Sequence, residues 1–313
     1  MCGPELMNLA KDSATASTAS TVAVAPDPEP VEEVRPRADV NRRRALGMGA
    51  VLGATLAGIG ALGRTPVAAA EALATRSASS FRVRDLSHAI HTDFPVYSPY
   101  VLEPNIFQSS FVPQDGYNAL KLEIDEHTGT HMDAPWHFVD TAEALTSDRI
   151  RPENLVCPLV VIRIADRART NLDAEVTIAD LENWERRYGR IPDNALVAMD
   201  SGWTSRVLQG GEAMVNRDAD NVPHFPGFSH AACEWLLSKR SVAGIAVDTP
   251  SMDNGPNSVS NPNAHRYFLG ANKYGLEITA NLNTAPDSGA IAVVGLLKTK
   301  GGTGGPVRLL AAF

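Results

Sequence analysis

The sequence contains few cysteines. Three occur in 313 residues, Cys2, Cys157 and Cys233, and no two have CxxC spacing. Three cysteines so far apart indicate neither a disulfide framework nor a thiolate zinc site. Cys2 falls in a segment that we expect to be removed as a leader, which leaves one disulfide at most. Cys157 and Cys233 are interpreted as two buried thiols rather than a bridge.

Positive charge is also scarce, since 28 Lys and Arg stand against 36 Asp and Glu, for a formal net charge of −8 at pH 7. A nucleic-acid-binding protein needs Lys and Arg clustered on one face, so we expect a small-molecule partner and no nucleic acid. The sequence has no GxSxG elbow, and its glycine-rich stretch at 301–306 lacks the Lys of a phosphate-binding loop. The 44% hydrophobic composition is sufficient for a globular core.

The N-terminal part of the chain has a different composition from the rest. Residues 1–40 are rich in Ala, Ser, Thr, Pro and Glu, which predicts a disordered segment. Residues 41–70 are similar to a twin-arginine export signal, because three arginines (42–44) precede an apolar, glycine-rich run that ends in small residues. We therefore expect interaction with the export machinery and a periplasmic or extracellular location. The alternative is that this segment is retained as a membrane anchor.

The remaining chain, residues 81–313, has no low-complexity linker and no repeat, which predicts one domain. Four short β-branched, apolar runs predict strands buried on both faces; they are CPLVVIRIAD, NALVAMD, VAGIAVD and GAIAVVGLLK. Two segments predict helices, 177–189 with a Thr cap and a terminal Gly, and 229–240 with Ser229 as its cap. Strands and helices that alternate in this way predict an α/β fold with a mixed β-sheet and flanking helices.

One further segment, NALKLEIDE at 118–126, has an alternating pattern. Leu120, Leu122 and Ile124 are separated by charged residues. Successive side chains of a strand point to opposite sides, so this pattern predicts a strand with only one face in water.

The segment HTGTHMDAPWH at 127–137 contains the strongest indication of chemistry. Its candidate ligands are His127, His131, Asp133 and His137. All four lie at odd-numbered positions. An extended segment would therefore project their side chains from one side, whereas a helix would turn Asp133 away. Gly129 and Pro135 also disfavour a helix. Because imidazole and carboxylate are ordinary ligands of Zn, Mn and Fe, the spacing predicts a metal site. The alternative is a chance HxxxH pair.

This segment resembles the HxGTHxDxPxH signature of the cyclase-family metal hydrolases, which include bacterial kynurenine formamidase and isatin hydrolase. The resemblance begins at RDLSHAI (84–90), continues through DSGW and VAGIAVDTPSMD, and reaches HRYFLGANKYGLEITANL (265–282). It therefore covers essentially all of residues 81–313. It implies a single cyclase-like domain of the swivelling β/β/α type.

By position, the resemblance implies that His127, His131 and Asp133 bind a metal and that His137 is the catalytic acid/base. In formamidase-like members, Asp133 would bridge to a second ion held by His265 and Glu277. Isatin-hydrolase-like members have one ion. We therefore expect one or two divalent ions, Zn or Mn, and a homodimer or homotetramer.

The expected function is metal-dependent hydrolysis of an amide or cyclic-amide C–N bond in a small aromatic substrate, isatin-like or N-formylkynurenine-like. One alternative is a lactone or ester hydrolase of the same family. Others are a metal oxygenase and an exported metal-binding protein without catalysis. Four more residues are weaker candidates for contact with the substrate or support of the ligands; they are Phe94, Trp136, Trp203 and Asp248. The first three could equally be core, and Asp248 could instead cap a turn.

Overall fold

The computed structural model describes residues 81–313. The predicted disordered segment and the predicted export signal, residues 1–70, lie outside the described residues and remain predictions. In the part of the chain that is described, no helix combines the length and the apolar character needed to cross a bilayer.

The described chain contains twelve strands and nine α-helices. The strands are β1 (Val83–Asp85), β2 (Asn105–Ser110), β3 (Ala119–Glu123), β4 (His131–Asp133), β5 (Val156–Arg163), β6 (Glu175–Val176), β7 (Leu196–Asp200), β8 (Gly227–Phe228), β9 (Gly244–Val247), β10 (Tyr274–Glu277), β11 (Ala290–Leu296) and β12 (Gly304–Ala312). The helices are α1 (Val112–Asp115), α2 (Pro152–Leu155), α3 (Ala165–Ala168), α4 (Ile178–Tyr188), α5 (Thr204–Val207), α6 (Gly211–Val215), α7 (His230–Lys239), α8 (Gly255–Ser260) and α9 (Asn263–Gly270).

Eight strands form one mixed sheet in the order β1-β12-β11-β5-β7-β9-β10-β4. Strands β5, β7, β9 and β10 run parallel to one another, and the other neighbours are antiparallel. The predicted mixed sheet is thus confirmed, and the four predicted apolar runs overlap β5, β7, β9 and β11.

The sheet also closes on itself, which the sequence pattern did not predict. The first residues of β12 pair with β4, with Gly304 opposite Asp133 and Pro306 opposite His131. Further along the same strand, Leu310 to Ala312 pair with β1. Since β4 also pairs with β10, seven strands form a barrel-like ring with β4 inserted between β10 and β12.

The two long helices begin where the sequence predicts them. The Thr177 side chain accepts from the Asp180 N–H, the Asp180 carboxylate accepts from the Thr177 N–H, and this capping box starts α4. The Ser229 side chain accepts from the Ala232 N–H and starts α7. Both helices pack on one side of the parallel strands. Alternate residues of each strand face these helices, and the residues between them face the barrel interior.

The two described cysteines are free and buried, as predicted. Cys233 lies in the core between helices and sheet, whereas Cys157 lies among residues of the barrel interior. Burial raises the pKa of the Cys157 thiol to about 11. Both therefore act as small apolar side chains.

Strands β2 and β3 form a separate two-stranded sheet. Residues Ala119–Glu123 are extended, as the alternating pattern predicts, but Leu120 and Leu122 are exposed rather than covered. Both faces of β3 are therefore exposed to solvent in the described chain. The prediction that only one face is exposed is wrong for this single chain.

Candidate metal site

The segment from His127 to His137 is not one continuous strand. His127 lies in a turn, Gly129 has φ of +68°, and only His131–Asp133 forms strand β4. His137 ends a short 3-10 helix that starts at Pro135. The extended-segment prediction is therefore correct for His131 and Asp133, which share one face of β4. It is wrong for His127 and His137, because these two residues reach the cluster from a turn and from the end of a short helix.

Strand pairing and one helix add the two distant candidates. Because β4 pairs with β10, Glu277 lies opposite His131, and the His131 Nε2 to Glu277 Oε2 distance is 3.5 Å. His265, on α9, has its Nε2 3.2 Å from Asp133 Oδ2 and 3.2 Å from Glu277 Oε1. On the other side, His127 Nδ1 is 2.7 Å from Asp133 Oδ1. The structure thus brings five of the predicted residues together, with three histidines around Asp133 and Glu277.

His137 stands beside this cluster. Its ring centroid is 4.1 Å from that of His127 and 6.5 Å from that of His265. The donor atoms of His127, Asp133 and His137 lie within 4.8 Å of one another, as do those of His131, Asp133 and Glu277. Asp133 belongs to both groups, so these are two overlapping candidate sites for a metal ion.

The charges of the cluster fit a cation. Asp133 and Glu277 are almost fully buried, and among the described residues their only ion-pair partners are histidines. Burial alone would lower the pKa of His131, but hydrogen bonds to Asp133 and Glu277 outweigh it and raise the pKa to about 10. The same two carboxylates and Asp253 hold the pKa of His265 well above its usual value. Two buried carboxylates therefore require nearby positive charge, which a divalent ion held by these residues would supply in place of the imidazole protons.

Hydrogen bonds fix which ring nitrogen each histidine presents. His131 Nδ1 donates to the Gly129 carbonyl at 2.8 Å, so its Nε2 faces the carboxylates. His265 Nδ1 donates to Asp253 Oδ2 at 2.7 Å, which leaves its Nε2 toward Asp133 and Glu277. A carboxylate or carbonyl on the far nitrogen of an imidazole is the usual support of a metal-binding histidine.

His127 is oriented the opposite way. The Thr303 hydroxyl donates to Glu126 Oε2 at 2.6 Å and therefore accepts from His127 Nε2 at 3.1 Å. This leaves His127 Nδ1 toward Asp133. Glu126 also accepts from the Thr303 N–H, so the support is held at two points.

Comparison with known proteins shows the family of this chain. The Cyclase family model matches residues 84–254, more than half of the 313-residue chain. The chain belongs to the cyclase family. Among its relatives, the isatin hydrolase of Roseibium aggregatum is 33% identical over 195 residues, which cover 61% of this chain and 73% of that protein. The kynurenine formamidase of Bacillus cereus is 27% identical over 165 residues, which cover 53% of this chain and 65% of that protein.

A solved structure extends the match to the fold. Isatin hydrolase A from Labrenzia aggregata, bound to benzyl benzoate, is 33% identical and aligns with a TM-score of 0.71. The alignment covers 78% of this chain and 98% of that chain. The α/β fold expected from the family resemblance is thus confirmed, together with the barrel-like closure of its sheet.

The three aromatic candidates differ in burial. Phe94 and Trp203 are buried in an apolar cluster that includes Ile278, the neighbour of Glu277, and the Trp203 indole N–H donates to the Met214 carbonyl. Trp136, beside His137 in sequence, is 41% exposed. Phe94 and Trp203 thus belong to the core next to the site, whereas the side chain of Trp136 is partly exposed to solvent.

Asp248 caps a neighbouring loop. Its buried carboxylate accepts from the Ser201 hydroxyl at 2.5 Å and from the Trp203 N–H at 2.8 Å. Burial raises the pKa of Asp248 to about 7, against these hydrogen bonds. The observed contacts match the capping role, and Asp248 accepts no hydrogen bond from a described histidine.

Three supporting residues were not identified from the sequence: Glu126, Asp253 and Thr303. Asp253 is part of the VAGIAVDTPSMD match, but Asp248 in the same run was the stronger candidate because it directly ends a buried strand. Thr303 lies in the glycine-rich stretch 301–306, whose composition does not indicate support of a ligand. Their roles follow from hydrogen bonds across the fold, for which the sequence contains no local signal.

Asp253→Asn is expected to weaken metal binding by about 10- to 100-fold, the usual effect of removing a carboxylate behind a metal-binding histidine. The amide cannot balance the charge of His265, and its NH₂ group would face one of two N–H donors that the carboxylate now accepts from, the Ala264 N–H or His265 Nδ1–H. Competition against a fluorescent chelator would measure the dissociation constant. Asp248→Asn is the matched control, because it changes a buried Asp without a contact to the histidines. Equal metal affinity of Asp253→Asn and wild type would contradict the supporting role.

Proposed function

We propose that this chain is a metal-dependent hydrolase that cleaves an amide or cyclic-amide C–N bond of a small aromatic substrate. The buried cluster around Asp133 and Glu277 is the main support, because its charges require a cation and its imidazole nitrogens are oriented toward one point. The relatives named isatin hydrolase and kynurenine formamidase indicate the substrate class, a cyclic amide or an aryl formamide.

Zinc or manganese is the proposed ion, bound at one or two positions. The donor set contains nitrogen and oxygen but no thiolate, which suits either ion. His127, His131 and Asp133 would hold the first ion, and Asp133, His265 and Glu277 would hold the second. Such an ion, when bound, supplies Lewis-acid activation of water near neutral pH.

His137 is the proposed acid/base. Burial and the neighbouring His127 and His265 lower the pKa of His137 to about 4, against the attraction of Asp133. The imidazole is therefore neutral at pH 7 and able to accept a proton from water. It would then return this proton to the leaving nitrogen, which needs protonation before the C–N bond can break. His137 is the residue that distinguishes this proposal from a metal-binding protein without catalysis.

Ester or lactone hydrolysis is the second candidate. Isatin hydrolase A from Labrenzia aggregata has been solved with benzyl benzoate, which is an ester. The same attack of water on a carbonyl would cleave an ester, but an alkoxide leaves more readily than an amine. An ester would therefore depend less on protonation by His137.

The test is a hydrolysis panel with the purified protein loaded with zinc or manganese. We expect turnover of isatin or N-formylkynurenine, with kcat/KM at least about tenfold above that of a matched aryl lactone and of benzyl benzoate. A tenfold ratio corresponds to about 1.4 kcal/mol of discrimination between two substrates. EDTA should abolish the activity, and added metal should restore it. Hydrolysis that is unaffected by metal removal would contradict metal dependence. A loaded protein that cleaves no member would favour the non-catalytic alternative.

A further inference from the structure

Ile278 has a backbone conformation that is unusual for its side chain. Its φ is +52°, in the left-handed region, where the Cβ of a non-glycine residue lies too close to the following carbonyl oxygen. The other described non-glycine residues with positive φ are all asparagines, which adopt this region more readily. Ile278 directly follows Glu277, the last residue of β10. Strain of this kind persists only where surrounding contacts hold it, and it is common beside functional sites.

The left-handed turn takes the Ile278 side chain away from the barrel interior. In β10, Tyr274 and Leu276 face that interior, so a continuing strand would place the Ile278 side chain on the same side. Instead, Ile278 is buried in the separate apolar cluster that contains Phe94. Glu277 is thus the last residue that follows the strand, and the position of its carboxylate depends on how the chain turns at Ile278.

Two hydrogen bonds from other segments hold the Ile278 backbone. Its N–H donates to the Thr249 carbonyl at 3.0 Å, and its carbonyl accepts from the Thr130 hydroxyl at 2.6 Å. The Thr130 hydroxyl also accepts from the His88 N–H at 2.9 Å, so its single proton is directed to Ile278. In the described part of the chain, no other side chain bonds to the Ile278 backbone. Because Thr130 is buried, loss of this bond would leave an unpaired carbonyl inside the protein.

Thr130 therefore connects the two strands that carry the candidate ligands. It immediately precedes His131, which lies opposite Glu277 in the pairing of β4 with β10. The Glu277 carboxylate lies 3.2 Å from His265 Nε2 through Oε1 and 3.5 Å from His131 Nε2 through Oε2. A rotation of the chain at Ile278 would change both of these distances.

We propose that Thr130 is a positioning residue of the metal site. Its hydroxyl holds Ile278 in the left-handed conformation, and this turn places the Glu277 carboxylate between His131 and His265. Without the hydroxyl, relief of the strain at Ile278 would shift the adjoining carboxylate from its place. This role rests on the proposed metal binding, whereas the position of Glu277 can be measured without an ion.

The first test is zinc affinity, measured by competition with a fluorescent chelator. Thr130→Val keeps the branched shape of the side chain without its hydroxyl, and it should weaken zinc binding about 10- to 100-fold, as loss of a group behind a metal ligand does. Thr130→Ser retains the hydroxyl and should retain the affinity. Thr279→Val is the matched control, because the buried Thr279 hydroxyl donates to the Val247 carbonyl, which keeps the Thr279 N–H as a donor.

The second test separates positioning from a general loss of stability. Ile278→Gly and Ile278→Ala remove nearly the same side chain, but only glycine adopts a positive φ without strain. Urea unfolding of the metal-free protein should therefore show a higher midpoint for Ile278→Gly than for Ile278→Ala, the reverse of the usual order. Thr130→Val should weaken zinc binding strongly when it is combined with Ile278→Ala but only slightly when it is combined with Ile278→Gly.

A crystal structure of metal-free Thr130→Val tests the geometry without an ion. The expected result is a negative φ at Ile278 and a Glu277 carboxylate that no longer contacts both imidazoles. A positive φ with both distances unchanged would overturn the proposal, as would equal loss of zinc affinity in Thr279→Val. Equal effects of Thr130→Val in the two Ile278 backgrounds would reduce Thr130 to a structural role.

Absence of zinc binding by the wild type would defeat the proposed function together with the metal role of Thr130. The crystal structure of Thr130→Val would still decide whether the hydroxyl places Glu277, so the two failures are distinguishable. Circular dichroism would establish that each variant is folded.

Discussion

His131→Ala is expected to remove bound metal and hydrolysis together. His131 is 3% exposed, and its Nε2 lies 3.3 Å from Asp133 Oδ1 and 3.5 Å from Glu277 Oε2. Alanine provides no donor at this point and leaves both carboxylates with one fewer partner. We expect metal affinity and kcat/KM each to fall by more than about 100-fold. Removing a residue that only supports a metal ligand costs up to about 100-fold, and loss of the ligand itself should cost more. Elemental analysis of the dialysed protein and the hydrolysis assay would measure the two effects.

The control for this variant is His230→Ala. His230 is exposed and stacks on Tyr267, with a centroid distance of 4.5 Å, away from the cluster. It should bind metal and react as wild type does. Thermal unfolding would show whether His131→Ala is folded, because an unpaired buried carboxylate also costs stability. Full metal stoichiometry in folded His131→Ala would contradict its assignment as a ligand.

Local patterns predicted the parts of this fold that local forces determine. Thr177 and Ser229 mark the starts of α4 and α7 because each satisfies free backbone N–H groups at its own helix end. The buried strands β5 and β7 follow from short runs of β-branched and apolar residues. In each case the information lies within a few residues of the element it determines.

Closure of the barrel could not be predicted in the same way. It depends on the pairing of β4 with β10 and with β12, strands that lie far from β4 in the sequence. His131–Asp133 is only three residues long and contains a charged residue and a histidine, so its pattern alone does not indicate a strand. The pairing that completes the ring also brings Glu277 beside His131. The strand pairings that close the sheet therefore also assemble the site.

The candidate site was predicted in composition but not in detail. The family signature supplied His127, His131, Asp133 and His137, and the same resemblance supplied His265 and Glu277. The extended-segment argument was wrong for His127, which reaches Asp133 from a turn stabilised through Thr303 and Glu126. That support depends on a residue 176 positions away in sequence, and no local pattern indicates it.

The amphipathic pattern of β3 shows a second limit of the sequence. Alternation predicts that one face of a strand is covered, but it does not state by what. Leu120 and Leu122 satisfy the pattern and remain exposed in the isolated chain. Whether a face of the strand is covered thus depends on tertiary packing, which the alternation of β3 does not specify.

His137→Ala is expected to separate catalysis from metal binding. If His137 moves a proton and does not hold the ion, the variant keeps its metal and loses about 10² to 10⁴ in kcat, the usual contribution of a general acid/base. The loss should be largest for amide substrates, because the amine leaving group needs a proton. His91→Ala is the matched control, since His91 is exposed and packs against Phe94 rather than the cluster. Unchanged turnover in His137→Ala would remove this residue from the mechanism.

The pH dependence of the wild type tests the same assignment. Because the pKa of His137 is lowered to about 4, its neutral form dominates at every pH above that value. Protonation of His137 should therefore not reduce kcat between pH 5 and 7, whereas an imidazole with the ordinary pKa of about 6.5 would lose most of its base form across this range. Metal content must be measured at each pH, because ligand protonation releases the ion. One ring nitrogen of His137 lies within 4.8 Å of donor atoms of His127 and Asp133, so these three residues could hold one ion. If His137→Ala lost metal in proportion to activity, His137 would be a ligand, and the acid/base would have to be another residue.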